Sequence, residues 1–465
     1  MSKQLDPFFH AEGIAVIGAS REPGKIGHEI LRSLISSGFK GKIYPVNPKY
    51  DEVLGLKCYN SVLEIPGKVD LAVFAIPARL VPRVADECGR KGVRAIVVVS
   101  GGFREAGGEG EKLQEQLVST AEKYGMRIIG PNCIGIYNPY TGIDTFFQSH
   151  ERMIRPPPGS IAFLTQSGTY GCTVLEWLAQ EGIGVSKFVS YGNMADVDEA
   201  ELINYLAEDP QTSLIAFYME SVKSGRRFIE AAAKASLKKP IIVLKAGRTS
   251  AGVKAALSHT GRIAGRYEVV KAALRKARVI QVETIEELYD TMKILAMAPP
   301  PKGEGLAMIT NGAGPCVMAA DAAEQYGVKL ASYTKETVEK LREKLPPYAL
   351  IGNPVDLTGS ATTRDYVNAA EALLEDPNVN ILALFFVFQD TPLEDEVVDE
   401  VAALKKYGKP IVAMAAGGPY TQEQVKRLQK NGIPTYPTPE RLIKAVKHFT
   451  TYYLKIKQTT KIKYK

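Results

Sequence analysis

Residues 161–185 read IAFLTQSGTYGCTVLEWLAQEGIGV and residues 306–330 read LAMITNGAGPCVMAADAAEQYGVKL. Each stretch passes from a short apolar run through a Gly-containing turn into a helical pattern, then through a Gly C-cap into a new strand. Runs that are apolar throughout and lead into helices indicate parallel strands covered on both faces. The two stretches therefore set the fold class: α/β, built from βαβ units in parallel sheets.

The likeness between them extends downstream. Glu208-Asp209-Pro210 recurs as Glu375-Asp376-Pro377, KKPIIVLKAG (238–247) as GKPIVAMAAGG (408–418), and VIQVETIEELYDTM (279–292) as IPTYPTPERLIKAV (433–446). The region after residue 158 thus reads as two copies of one fold. Upstream, GIAVIGAS, KIYPVNP, LAVFAIP, AIVVVSGG and RIIGPN form a third strand series. The 465 residues suit about three domains at roughly 100–200 residues each. Two Pro-rich stretches, Arg155–Gly159 and Pro299–Gly303, read as exposed linkers. The expected division is 1–150, 159–298 and 303–454, followed by a basic tail at 455–465.

Composition excludes several functions. Hydrophobic residues make up 45% and charged residues 23%, and no apolar run reaches the ~18 residues of a bilayer span, so a soluble, globular chain with no membrane role is expected. The net charge is +7, but KIKQTTKIKYK at the end holds five Lys and no acid, which leaves +2 for the rest and no basis for nucleic-acid binding. Five scattered Cys without a CxxC pair argue against a disulfide framework or a zinc cage, so no metal is expected. No signal segment or lipidation pattern stands at the N-terminus, and a cytoplasmic location is expected.

In the first block, Ala15-Val16-Ile17-Gly18-Ala19-Ser20 is a strand entering a tight turn, and Gly27 opens a helix. Main-chain N–H groups there would face a phosphate. Ser20 takes the place of the second Gly of GxGxxG, Gly24-Lys25-Ile26 is no Walker A, and Asn47-Pro48-Lys49 puts a cation where NAD needs an acid. NADP and coenzyme A both satisfy this pattern.

The two copies differ in one place. From Gly247 to Ala277 is 30 residues, whereas from Gly417 to Gly432 is 15. The extra stretch, TSAGVKAALSHTGRIAGRY (249–267), holds His259 among glycines and small residues, a composition suited to a loop. Of the five His, His10, His150 and His448 stand in polar, surface-like sequence and His28 begins a helix. An imidazole is a good nucleophile toward phosphoryl groups, and helix N-termini following Gln166-Ser167-Gly168 and Asn311-Gly312-Ala313-Gly314 could cushion the charge. Packing the two copies together would aim both turns at one site. Glu220, at the end of LIAFYM, is placed to accept the other imidazole N–H and set the tautomer.

Lys245-Ala246-Gly247-Arg248 through Ser258-His259-Thr260-Gly261 resembles the phosphohistidine loop of ADP-forming acyl-CoA synthetase alpha subunits, in the succinyl-CoA synthetase superfamily. The resemblance covers nearly the whole chain. It implies a Rossmann-like CoA-binding domain followed by two flavodoxin-like CoA-ligase domains. Coenzyme A or acetyl-CoA would be held by Gly18, Ala19, Ser20, Lys25, Ile26, Asn47, Pro48, Lys49, Ile76, Pro77, Ser100, Gly101, Phe103, Asn132 and Cys133. Phosphate and the acyl group would be held by Gln166, Ser167, Gly168, Gly192, Asn193, Gly312, Ala313 and Gly314, with His259 and Glu220 catalytic. It further implies that acyl-CoA and phosphate give acyl phosphate, that His259 takes the phosphoryl group, and that ADP receives it, releasing a small carboxylic acid. No segment remains for the ATP-grasp module that would bind Mg-ADP or ATP, so a separate beta subunit in an alpha2-beta2 heterotetramer is implied, with the histidine loop moving between subunits. The alternatives are a non-catalytic CoA- or acyl-CoA-binding or sensing protein, an NADP-dependent oxidoreductase, and a fused acetyltransferase, which the histidine insertion, the lack of a hydride-transfer constellation and the chain length respectively disfavour.

Overall fold

The structure, a computed structural model, describes residues 2–254 and 267–456. β1 (Gly13–Ile17) is buried along its whole length, as its unbroken apolar run requires. It is followed by β2 (Lys42–Val46), a small hairpin of β3 (Glu52–Val53) and β4 (Leu56–Lys57), then β5 (Leu71–Phe74), β6 (Ala95–Val98) and β7 (Arg127–Ile129). Apart from the hairpin these strands form one parallel sheet in the order β2-β1-β5-β6-β7. The direction of winding reverses between β1 and β5, which puts a crevice at their carboxyl ends.

A second sheet contains β8 (Ile136–Asn138), β9 (Ile143–Asp144), β10 (Pro158–Thr165), β11 (Val185–Ser190), β12 (Leu214–Met219), β13 (Ile241–Lys245) and β14 (Ile280–Val282). A third contains β15 (Leu306–Thr310), β16 (Val355–Asp356), β17 (Ile381–Phe386), β18 (Ile411–Ala415) and β19 (Thr435–Tyr436). Their orders, β14-β13-β12-β10-β11-β8-β9 and β16-β15-β17-β18-β19, share one five-strand winding. β10 to β14 correspond one for one to β15 to β19, so the repeat read from the residues is a repeat of topology.

The expected linkers differ from their reading. Strands β8 and β9 lie upstream of the expected boundary, yet they pair antiparallel with β11 and with each other as the edge of the second sheet. Pro157 and Pro158 of the Arg155–Gly159 stretch are exposed as expected, but Arg155 and Pro156 anchor it. The Arg155 guanidinium is buried and donates to the fully buried Asp144 carboxylate at 2.8 Å, Tyr137 donates to the Pro156 carbonyl, and Pro158 opens β10. Proline is tolerated there because it stands at the first position of the strand.

Two compact units divide the chain, Met1–Ile285 and Glu286–Lys465. The helix Ile285–Met297 therefore belongs almost wholly to the C-terminal unit, although its sequence ends the second copy. Polar pairing holds it there: Arg441 grips Asp290 at 2.6 and 2.8 Å, Lys444 meets Glu287 at 2.7 Å, and Lys293 donates to the Thr435 carbonyl. The basic tail was expected from residue 455, but helical structure runs through Ile456 as a final π-type turn.

The histidines follow burial rather than sequence flavour. His10 is exposed and His150 meets Asp144 at 3.1 Å. His28 is 5% exposed, with Nδ1 3.0 Å from the Ser20 carbonyl. His448 is half-buried on the helix Pro439–Thr450, not at a polar surface, and burial pushes its imidazole below the ordinary range.

Candidate active site

The first crevice is assembled from the residues that follow β1, β2, β5 and β6. Gly18 has φ +90, and a Cβ there would lie 2.4 Å from the Ala75 carbonyl oxygen, so only glycine lets the turn cross the next strand. Gly27 is equally constrained, since its Cβ would meet the Gly18 carbonyl oxygen at 2.0 Å. The Gly27 contact presses the helix Ile26–Ser36 against the turn, with Lys25 exposed at its N-cap. Asn47 ties the second strand in by donating its amide to the Ala19 carbonyl at 2.7 Å and accepting the Lys49 N–H at 3.0 Å. Pro48 and Lys49 are exposed beside it. A close glycine turn, a helix N-terminus and two exposed lysines, one of them 3.8 Å from Glu22, fit a phosphate-bearing ligand such as coenzyme A.

Ile76 and Pro77 stand after β5, and Ser100 after β6 donates to the Ile76 carbonyl at 2.5 Å, which links the two ends. Gly101 is exposed. Phe103 departs from its expected place: its ring is wholly buried in the core, and its N–H is taken by Glu105 at 3.2 Å, so its side chain contributes packing rather than a surface for ligand.

A cavity of about 440 Å³ brings together Asn132, Cys133, Gln166, Ser167, Gly168, Gly192 and Asn193. Two come from the turn after β7, three from the turn after β10 and two from the turn after β11. Its size suits a small ligand or the reacting end of a larger one. Asn132 has φ +58, a left-handed conformation that asparagine tolerates better than branched residues, and Gly192 at φ +48 packs against the Pro131 and Asn132 carbonyls. Ser167 caps the helix Gly168–Gln180 by accepting the Tyr170 N–H, so the N–H groups of Gly168 and Thr169 open the helix at the cavity wall, where no intrahelical acceptor exists. Cys133 is an unsuitable nucleophile, because burial pushes its thiol up to about 12.

The cavity is held by residues whose function was not apparent from the sequence. Glu105 accepts the N–H of Gly102 at 2.6 Å and also accepts the Asn193 amide, which Gln114 receives at 3.1 Å. One carboxylate thus fastens the loop after β6 to the loop after β11. Spacing gave no sign of it, because residues 105 and 193 meet only through the fold.

Gln166 organises the next layer. Its side-chain oxygen accepts the N–H groups of Glu220 at 2.5 Å and Ser221 at 2.9 Å, and its amide donates to Ser221 Oγ at 3.2 Å. Glu220 is 8% exposed at the end of β12, next to β13, where Met219 pairs with Lys245. The chain then turns through Gly247 at φ +69, Thr249 Oγ1 accepts the Gly252 N–H, and residues 250–254 are helical rather than loop. His259 lies outside the described residues.

In the C-terminal unit the turn Asn311-Gly312-Ala313-Gly314 repeats the threonine bonds and the amide acceptor of the first turn, without its side-chain cap. Thr165 Oγ1 donates to the Ser167 carbonyl and accepts the Ser167 N–H; Thr310 Oγ1 does the same with Gly312. Asn311 accepts the Val387 N–H at 2.9 Å, as Gln166 accepts that of Glu220. Gly312 caps the helix Ala313–Tyr326, with Ala313 and Gly314 exposed at its start.

Three doubly wound sheets carry a phosphate-type turn in the first and a helix N-terminus after the first strand of each of the others. Residues 12–139 match the family described as CoA binding domain, 158–295 the succinyl-CoA ligase like flavodoxin domain, and 306–457 the ligase-CoA domain. The chain is 44% identical over 442 residues to the acetate–CoA ligase [ADP-forming] II subunit alpha of Pyrococcus furiosus, covering 94% of this chain and 95% of that one. It is 43% identical to acetate–CoA ligase [ADP-forming] I of Archaeoglobus fulgidus, over 95% of this chain but only 63% of that longer protein. The dinucleotide forming acetyl-coenzyme A synthetase 1 of Ca. Korarchaeum cryptofilum, solved in complex with phosphate and ADP, superposes with a TM-score of 0.91 at 39% identity, covering 97% of each chain. The chain belongs to the ADP-forming acetate–CoA ligase family, as an alpha-subunit-like member.

Proposed function

We propose that this chain is the catalytic alpha subunit of an ADP-forming acetyl-CoA synthetase that conserves thioester energy as ATP through a phosphohistidine. The observation that carries the reading is the convergence of Asn132, Gln166 to Gly168 and Gly192 to Asn193 on one cavity, with Glu220 held directly behind it by Gln166. Coenzyme A lies along the Gly18–Ser20 turn, Lys25 and Lys49, and its thioester end reaches the cavity. A phosphate oxygen attacks the thioester carbonyl, the C–S bond breaks, and the CoA thiolate leaves and takes up a proton. The N–H groups of Gly168 and Thr169 are placed to stabilise the oxyanion and the phosphate.

His259 then attacks phosphorus, the acyl carboxylate leaves, and the imidazole's other N–H donates to Glu220. The turn at Gly312 to Gly314 opens a helix N-terminus in the C-terminal unit, of the kind that binds anions. ADP receives the phosphoryl group on an ATP-grasp beta subunit, which would hold the Mg-nucleotide in an alpha2-beta2 assembly. Relatives of separate-subunit and of longer single-chain form both support a partner module. No helix among the described residues is long and apolar enough to cross a membrane.

Incubation with ³²P-phosphate and acetyl-CoA should label the wild-type chain and not His259→Ala, while acetyl phosphate still forms. With a beta subunit and ADP, only wild type should yield ATP. Equal labelling of the His259→Ala variant would overturn the carrier assignment.

A further inference from the structure

The second and third sheets share one five-strand winding, but among the described residues only the second carries the edge strands β8 and β9. That extension changes the surroundings of the helix that follows the first strand of the copy. Cys172 stands five residues past the Ser167 cap, and Val317 stands five past the Gly312 cap, so the two positions correspond. Val317 is 60% exposed, whereas Cys172 is partly buried and lines the cavity of about 440 Å³. Ile134, two residues before β8, and Phe147, three residues after β9, line the same cavity. Both belong to the extension that the third sheet lacks.

The extension is held firmly. The Ile134 N–H donates to Ser190 Oγ at 3.2 Å, and a Cβ on Gly168 would lie 2.8 Å from the Ile134 side chain, so Ile134 abuts the first residue of the helix. Phe147 packs against the hydrophobic core, and the buried Arg155 guanidinium donates to the next carbonyl, that of Gln148, at 2.7 Å. Gly168, Thr169 and Cys172 stand at i, i+1 and i+4, which puts Cys172 on the cavity face about one turn, roughly 5.4 Å, beyond the N–H groups that open the helix. Burial pushes the Cys172 thiol up, so it stays protonated and behaves as a small apolar side chain. The cavity therefore joins amide donors on one side to an apolar wall on the other.

An acyl thioester has the same two parts. Its carbonyl oxygen gains negative charge as phosphate adds and needs donors, whereas its acyl chain gains by leaving water for apolar surface. We propose that Ile134, Phe147 and Cys172 form the acyl-chain wall of this cavity, and that Phe147 and Cys172 are specificity-determining residues that restrict it to short aliphatic acyl groups. About 440 Å³ must hold the thioester, the attacking phosphate and the acyl chain together, and the Phe147 ring already takes up part of the wall, which leaves room for only a short chain. The inference rests on the reading that an acyl-CoA thioester reacts with phosphate in this cavity, and it uses no residue of the histidine segment.

The test measures acyl phosphate formed by the full chain from phosphate and acetyl-, butyryl- or phenylacetyl-CoA, trapped as the hydroxamate. Wild type should favour acetyl-CoA over phenylacetyl-CoA in kcat/KM. Phe147→Ala should raise the butyryl-to-acetyl and phenylacetyl-to-acetyl ratios roughly tenfold or more, the discrimination that about one methylene of pocket space carries. Cys172→Leu, which fills the wall, should lower the butyryl-to-acetyl ratio by a similar factor. Each ratio is taken within one preparation, so a loss of folded protein cancels. Ratios within about twofold of wild type in either variant, or a wild type that takes phenylacetyl-CoA as readily as acetyl-CoA, would overturn the proposal. Absence of hydroxamate from wild type with all three thioesters would instead remove the thioester reading beneath it.

Discussion

At the scale of single residues, the first crevice depends on glycines that tolerate no Cβ and on exposed lysines. The Gly18 turn, Asn47-Pro48-Lys49 and Gln166-Ser167-Gly168 stand at strand ends as their patterns implied, because a βα turn is specified by neighbours in the chain. Glu105 escaped notice because its partner is 88 residues away. Lys49 gives a direct check on the first crevice. Reversing it to Glu puts a negative charge beside a phosphate-bearing ligand, so coenzyme A should bind roughly tenfold more weakly while phosphate binding changes little. Calorimetric titration of each ligand against Lys49→Glu would decide it, and an equal loss of both would count against this crevice.

At the scale of elements, the anchoring of β9 to the segment before β10 shows how buried charge sets a boundary. Asp144 is fully buried, which by itself raises a carboxyl, but hydrogen bonds from His150 and Arg155 and the Arg155 charge outweigh burial and hold it below the usual aspartate range. A carboxyl depressed in the folded state contributes stability that is present above its unfolded value and is lost as pH falls through the folded one. Asp144→Asn should cost about 3–5 kcal/mol near pH 7, since it leaves the buried Arg155 guanidinium without its counter-charge. The gap between variant and wild type should narrow as pH drops below the aspartate range. Urea denaturation across that interval measures both. A gap independent of pH would mean the loss is one of shape rather than charge.

At the scale of the whole molecule, three sheets reduce to two compact units, and the helix Ile285–Met297 crosses from the copy that ends with it to the copy that follows. Leu288, Tyr289, Met292 and Ile294 are almost wholly buried. At about 1.5–3 kcal/mol per buried apolar side chain, losing them would rival the ~5–15 kcal/mol stability of a typical domain. A fragment of residues 284–456 should therefore unfold cooperatively, whereas 303–456, the division read from the Pro-rich stretch, should be molten or insoluble. Circular dichroism melts of the two fragments separate these outcomes.

The residue pattern alone determined that parallel α/β sheets form, that the last two share one plan, and that only one of them carries the extra histidine segment, because strand, turn and helix preferences are local and repeat visibly along the chain. Only the tertiary structure decided that β8 and β9 join the second sheet, that Arg155 is buried rather than exposed, and that Lys245 and Glu220 close neighbouring strands. Burial and charge pairing arise between segments distant in the chain, and no local preference encodes which of them will meet.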